Sequence, residues 1–162
     1  MKRLKKKSVP LKRVIPREVK LPHPPKGSAL TILLIEDEPI LVSLYASVLR
    51  KLTVANVVTA TEEQEALAVI DRIVPKIILL DLMIPTTGGA ITDFHEPVGF
   101  EVLRQVKKNP KTKGIHVIIL SNLDADEHRQ RAQELGAEEY IVKALLRPRE
   151  LAERIEKYLD MA

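Results

Sequence analysis

Cysteine is missing from all 162 residues, which excludes disulfide scaffolds, thiol nucleophiles and Cys-based zinc or iron sites. A reducing compartment is permitted, and a cytoplasmic address is the expectation. Long hydrophobic runs are also lacking. The longest apolar stretches, such as the one ending Ile77 to Leu80, are strand-sized and far short of the roughly 20 residues that span a bilayer. Neither a membrane span nor a membrane partner is expected. The basic N-terminal segment has no apolar h-region, so it is not a secretory signal. No internal repeat is present. The core therefore has to stand on packing alone, and a composition of 45% hydrophobic and 30% charged residues is ordinary for one soluble domain.

The net charge of +4 hides an asymmetry. Residues 1–29 carry ten Lys/Arg and a single acid, Glu18, whereas the remaining residues carry 16 basic and 21 acidic side chains. The first segment also holds five of the eleven prolines, which prevents a continuous helix. It reads as a disordered or loosely extended arm, 1–29, in front of a domain over 30–162. Three roles fit such an arm: weak binding of nucleic acid or another anionic surface, docking to an acidic partner, or solubilising disorder. It has no aromatic residue to stack on bases.

From Leu30 onward, apolar runs alternate with helical patterns. Strands are predicted at Thr31–Ile35, 55–59, 76–80, 115–120 and Glu139–Val142. Helices are predicted from Pro39 to about Leu52, with Leu41, Leu44 and Val48 inward; after a capping-box pattern at Thr61 and Gln64; over 99–108; after a second such pattern at Asp124 and Glu127, ending at Gly136; and from Pro148. Five strands alternating with five helices make an α/β domain with a parallel sheet covered on both faces. Ligands in such sheets bind beyond the carboxyl ends of the strands.

At those ends stand Glu36, Asp37 and Glu38 after the first strand, Asp81 after the third, Ser121 after the fourth and Lys143 after the fifth. Close carboxylates repel and raise one another's pKa, and a hard divalent cation relieves this. All-oxygen ligation suits Mg²⁺, while Lys143 and Ser121 can bind a tetrahedral oxyanion. Each piece alone has an ordinary explanation. Acids before a helix favour its dipole, Ser121 or Asn122 can cap the next loop, and Tyr140 fits a half-buried strand tyrosine. The ensemble, in this order, reads as a phosphoryl site with an aspartate nucleophile.

The stretches Leu33-Leu-Ile-Glu-Asp-Glu-Pro39, Ile78-Leu-Leu-Asp-Leu-Met-Ile-Pro85, Ile118-Ile-Leu-Ser121 and Glu138-Glu-Tyr-Ile-Val-Lys143 resemble the four motifs of response-regulator receiver domains of two-component signal transduction. The resemblance covers about Leu30 to Met161. It implies a flavodoxin-like, doubly wound five-stranded sheet of order 2-1-3-4-5. It also implies Asp81 as phosphoacceptor, fed by a histidine kinase or phosphotransfer protein. Glu36, Asp37, Asp81 and the Met83 backbone carbonyl would be Mg²⁺ ligands, Lys143 a phosphoryl partner, and Ser121 with Tyr140 the switch pair acting on an unnamed downstream target.

Two departures stand out. Thirteen residues, 86–98, separate Pro85 from Gly99 where the family usually has three, making an expected mobile loop at the mouth of the site. Ala144 follows Lys143 where the family usually has a cis-linked proline; a non-proline cis bond costs about 2.5–4 kcal/mol, which favours trans. The chain is expected to act as a stand-alone receiver with no enzymatic activity beyond its own phosphotransfer and dephosphorylation. An aspartate-nucleophile phosphatase would need a second acid where Met83 stands. A flavin carrier would need a phosphate-binding loop where Glu36 to Glu38 stand. A phosphorylation-independent scaffold, or an adaptor acting through the arm, are the remaining alternatives. The four histidines are scattered and enter no site.

Overall fold

Five short strands rich in Ile, Leu and Val have no polar face to give to water, so helices must cover the sheet on both sides. The computed structural model describes residues 30–86 and 96–160. The expected arm, 1–29, and most of the expected inserted loop, 86–98, lie outside the described residues. The strands are β1 (Thr31–Ile35), β2 (Asn56–Ala60), β3 (Ile77–Leu80), β4 (His116–Ser121) and β5 (Glu139–Val142), and the helices are α1 (Pro39–Leu52), α2 (Glu63–Ile73), α3 (Val98–Lys108), α4 (Asp126–Glu134) and α5 (Pro148–Asp160). All strand pairs are parallel, in the order β2-β1-β3-β4-β5. This is the predicted flavodoxin-like topology.

Side chains alternate across the sheet and divide the core in two. Leu33, Ile35, Ile78 and Leu80 pack with α2, α3 and Ala132 of α4, while Ile32, Leu34, Ile77 and Leu79 pack with α1 and α5. The strand and helix bounds agree with the sequence reading to within a residue or two. Three local readings do not. In α1 the buried residues are Tyr45, Ala46 and Leu49, and Leu44 is exposed. Leu41 and Val48 do pack against the core as predicted, so only Leu44 of that stripe is misplaced. Thr61 caps nothing by the predicted scheme: α2 starts at Glu63, and the Thr61 backbone N–H and hydroxyl both donate to Glu65 Oε2, at 2.7 and 3.0 Å. Nor does Asp124 cap α4, because its carboxylate is held by Arg129. Gly136 does end α4 as predicted, with φ 92°.

Helix α4 has only one fully buried residue, Ala132. Such thin packing makes it the helix most easily displaced. Its main tether outside the core is ionic. Glu96 accepts from Arg131 Nε of α4 at 2.7 Å and from Arg104 of α3 at 2.7 Å. Burial works against the charged Glu96 carboxylate, but the two guanidiniums outweigh it and hold its pKa below the ordinary value. Stability from a depressed carboxylate is present above the unfolded pKa and fades as pH falls through the folded one. Glu96→Gln should therefore cost about 0.5–1 kcal/mol at pH 7, limited by solvent screening. In urea titrations the difference from wild type should close as the pH is lowered past the carboxylate range.

Candidate functional site

The sheet delivers its polar residues to one rim because parallel strands all end on the same side. Glu36 follows β1 directly, and its backbone N–H continues the ladder to Ala60 O at 3.0 Å; Asp81 follows β3 with its N–H on Ile35 O at 2.9 Å. These bonds fix both carboxylate-bearing residues against neighbouring strands. Ser121 is the last residue of β4, and Lys143 opens a single 3₁₀ turn, Lys143–Leu145, after β5. The peptide after Lys143 is trans. That turn takes the place of the proline usual in the family.

Four of the polar groups are buried: Glu36, Asp81, Ser121 and Lys143. The Lys143 side chain, only 5% exposed, lies between the two acids, with Nζ 2.5 Å from Glu36 Oε2 and 2.7 Å from Asp81 Oδ2. Burial alone would lower the lysine's pKa, but hydrogen bonds and charge from Asp81 and Glu36 more than compensate and raise it. Burial pushes Glu36 above the ordinary carboxylate range, and the pull of Lys143 offsets this only in part. The second oxygen of Asp81 accepts the Met83 N–H at 3.2 Å, which orients the carboxylate.

Asp37 projects into solvent, and ligand oxygens of Glu36, Asp37 and Asp81 lie within 4.8 Å of one another. Three hard oxygen donors on two buried acids and one exposed one fit a small divalent cation reached from solvent. Lys143 supplies one positive charge against these three carboxylates, and the shortfall is what such a cation would neutralise. The Met83 side chain is exposed; the Met83 contact observed here is through its N–H.

Further from the acids, Ser121 Oγ lies 3.4 Å from the Leu123 N–H, and the Tyr140 hydroxyl donates to the Leu123 carbonyl at 2.7 Å. The loop after β4 thus joins the two expected switch residues. Arg129 of α4 lies over the Tyr140 ring, 5.1 Å from its centroid. Burial raises the Tyr140 pKa, with Arg129 and Ser121 pulling the other way.

Gly99, expected from the sequence only as the start of a helix, also shapes this rim. It lies in the first turn of α3 and donates its N–H to Leu82 O at 3.0 Å. A Cβ there would sit 2.6 Å from both the Asp81 carbonyl oxygen and Leu82 Cα. The helix can approach the backbone of Asp81 this closely only without a side chain. The glycine was visible in the sequence, but its distance from Asp81 along the chain concealed the contact. Glu96 was likewise unreadable, since its arginines lie 8 and 35 residues away.

The family model for the response regulator receiver domain matches residues 32–156. The chemotaxis protein CheV1 of Helicobacter pylori is 30% identical over 138 residues, covering 81% of this chain and 38% of that protein. The chain spans about half or less of the length of the other leading curated relatives. Among solved structures, the signal receiver domain of a DNA-binding response regulator from Colwellia psychrerythraea superposes with a TM-score of 0.69 at 26% identity, covering 82% of this chain and 99% of that one. A CheY-like receiver domain protein from Methanospirillum hungatei gives 0.68 at 25% identity, with 82% and 95% covered.

Proposed function

The chain belongs to the response regulator receiver domain family, and from that premise we propose that it accepts a phosphoryl group on Asp81 from a histidine kinase or phosphotransfer protein and signals through a change in conformation. The observation that carries this reading is the Lys143 bridge between two buried acids beside an exposed third one. A carboxylate held by a lysine, at the mouth of an all-oxygen cation site, supports phosphoryl transfer. Stand-alone action, a cytoplasmic address and an unnamed protein target go with the proposal.

In the step itself, an Asp81 carboxylate oxygen bonds to phosphorus as the bond from phosphorus to the donor's histidine nitrogen breaks. The nitrogen keeps the electron pair and takes a proton. Mg²⁺ held by Asp37, Asp81, Glu36 directly or through water, and the Met83 carbonyl would neutralise charge on the moving phosphoryl group. Asp81 is already oriented by the Met83 N–H. Lys143, bonded to Asp81 before the reaction, would keep its charge beside the new phosphoryl oxygens. The Ser121 hydroxyl would bind another of them, drawing on the loop that Tyr140 holds at Leu123. Tension on that loop reaches α4, the least packed helix, through Arg129 over the Tyr140 ring.

Asp37 is exposed, so Asp37→Ala should fold normally while losing a ligand. Mg²⁺ affinity should fall about 10- to 100-fold, and phosphorylation by a small acyl phosphate should slow in proportion. Unchanged Mg²⁺ titration and unchanged phosphorylation would remove Asp37 from the site.

A further inference from the structure

We propose that the rim opposite the phosphoryl site, where the strands begin, docks on an anionic lipid surface. Three segments form most of this rim; the start of β5 adds Glu138, paired with Lys107, and Glu139, paired with Arg154 and Lys157. The stretch leading into β2 places the Asn56 N–H on Leu30 O at 2.9 Å, Lys76 N–H bonds Thr31 O at 2.9 Å, and His116 N–H bonds Lys76 O at 3.2 Å. Residues 50–56, 71–77 and 107–116 are therefore side by side at one end of the sheet.

Their charge is one-sided. Together they carry eight Lys/Arg against a single acid, Asp71, whereas the rest of residues 30–162 carries eight basic and twenty acidic side chains. Basic residues in last turns, such as Lys51, Arg72 and Lys108, also complement the helix dipole and need no partner to explain them. Lys111 and Lys113 lie outside any helix, are exposed, and have no such account. The acidic cation site thus lies at one end of the sheet, and an excess of basic side chains, Lys111 and Lys113 among them, at the other. The ten basic residues of 1–29 join the chain at Leu30, on the basic rim.

Charge alone would suit any polyanion; the exposed aliphatic side chains choose among them. Val54, 81% exposed, Leu52 and Val74 stand at this rim. Val74 also has φ 43°, a left-handed conformation in which a β-branched residue is strained and glycine would be relaxed. Aliphatic side chains gain nothing from nucleic-acid phosphates, and aromatic stacking platforms are absent from the three segments. A bilayer interface accepts both kinds of group, apolar side chains entering the acyl boundary while lysines meet the headgroups. No helix among the described residues is long and apolar enough to cross a membrane, but a peripheral contact requires none, and here the proposal departs from the expectation of no membrane partner. Docking in this sense would leave the opposite end, with Asp81, open to its phosphodonor.

The test uses the full chain and sedimentation with vesicles of phosphatidylglycerol mixed with phosphatidylcholine, against phosphatidylcholine alone and a short duplex DNA. Binding should require phosphatidylglycerol and fall away as salt is raised from about 0.1 M toward 1 M. The double variant Lys111→Glu/Lys113→Glu should bind at least about 25-fold more weakly, at roughly fivefold for each basic residue near the surface. Leu52→Ser/Val54→Ser should lose about tenfold on vesicles and nothing on DNA. All four positions are exposed, and circular dichroism verifies that the variants fold. Undiminished vesicle binding by either double variant would overturn the proposal, as would preference for DNA with equal losses on both ligands. Asp81→Asn should bind vesicles like wild type, so failure of phosphoacceptance and failure of docking are separate results.

Discussion

Lys143→Ala should lose about 3 kcal/mol of stability in the absence of divalent cations, and saturating Mg²⁺ should restore most of it. Among the described residues, the lysine is the one basic group bonded to Glu36 and Asp81. Removing one member of a buried ion pair typically costs about 3–5 kcal/mol because the remaining charge is left without compensation. The open side of the site at Asp37 admits water, which places the expectation at the lower end. A cation bound by the same carboxylates replaces the lost charge, hence the rescue. Urea denaturation with and without Mg²⁺ measures both values. The variant should still take some phosphate on Asp81, but at equal phosphorylation the spectral changes around Tyr140 and α4 should be lost. Identical changes in wild type and variant would show that Lys143 has no part in the switch.

Gly99→Ala carries the second large effect. The added methyl meets two backbone atoms at 2.6 Å, and backbone cannot rotate aside as a side chain can. Alanine gains about 1 kcal/mol of helix propensity over glycine, yet overpacking against fixed atoms costs typically 1–3 kcal/mol. A net loss of up to about 2 kcal/mol is expected. The more telling consequence is at Asp81, whose own carbonyl is one of the atoms struck. Misplacement by about 1 Å can cost 10²-fold in rate, so phosphorylation by acyl phosphate should slow by at least tenfold even where the variant is fully folded. Normal phosphorylation kinetics would mean that α3 moves and Asp81 does not.

Much of this molecule was legible because its strands are apolar on both faces and its polar residues stand just beyond them. The covering of both faces and the gathering of Glu36, Asp37, Asp81 and Lys143 at one rim follow from that pattern, whereas the strand order was implied by the resemblance to receiver domains. What stayed hidden depends on partners far away in sequence or on competition between equally good local choices. Thr61 had Gln64 at capping-box spacing, but Glu65 stood one residue further and took both donors. Asp124 matched a cap and was captured by Arg129 instead. In α1 the core takes Tyr45, and its neighbour Leu44 is left exposed. That Lys143 bridges Glu36 as well as Asp81 could be read from no spacing, only from the need of two buried carboxylates for a cation.

The intact mass of the full chain after incubation with Mg²⁺ and a small acyl-phosphate donor tests the phosphoacceptor most directly. Wild type should gain one phosphoryl group, Asp81→Asn should gain none, and omission of Mg²⁺ should suppress the gain. A wild-type chain that stays unmodified under these conditions, or an Asp81→Asn chain modified as readily as wild type, would contradict phosphoryl transfer to Asp81.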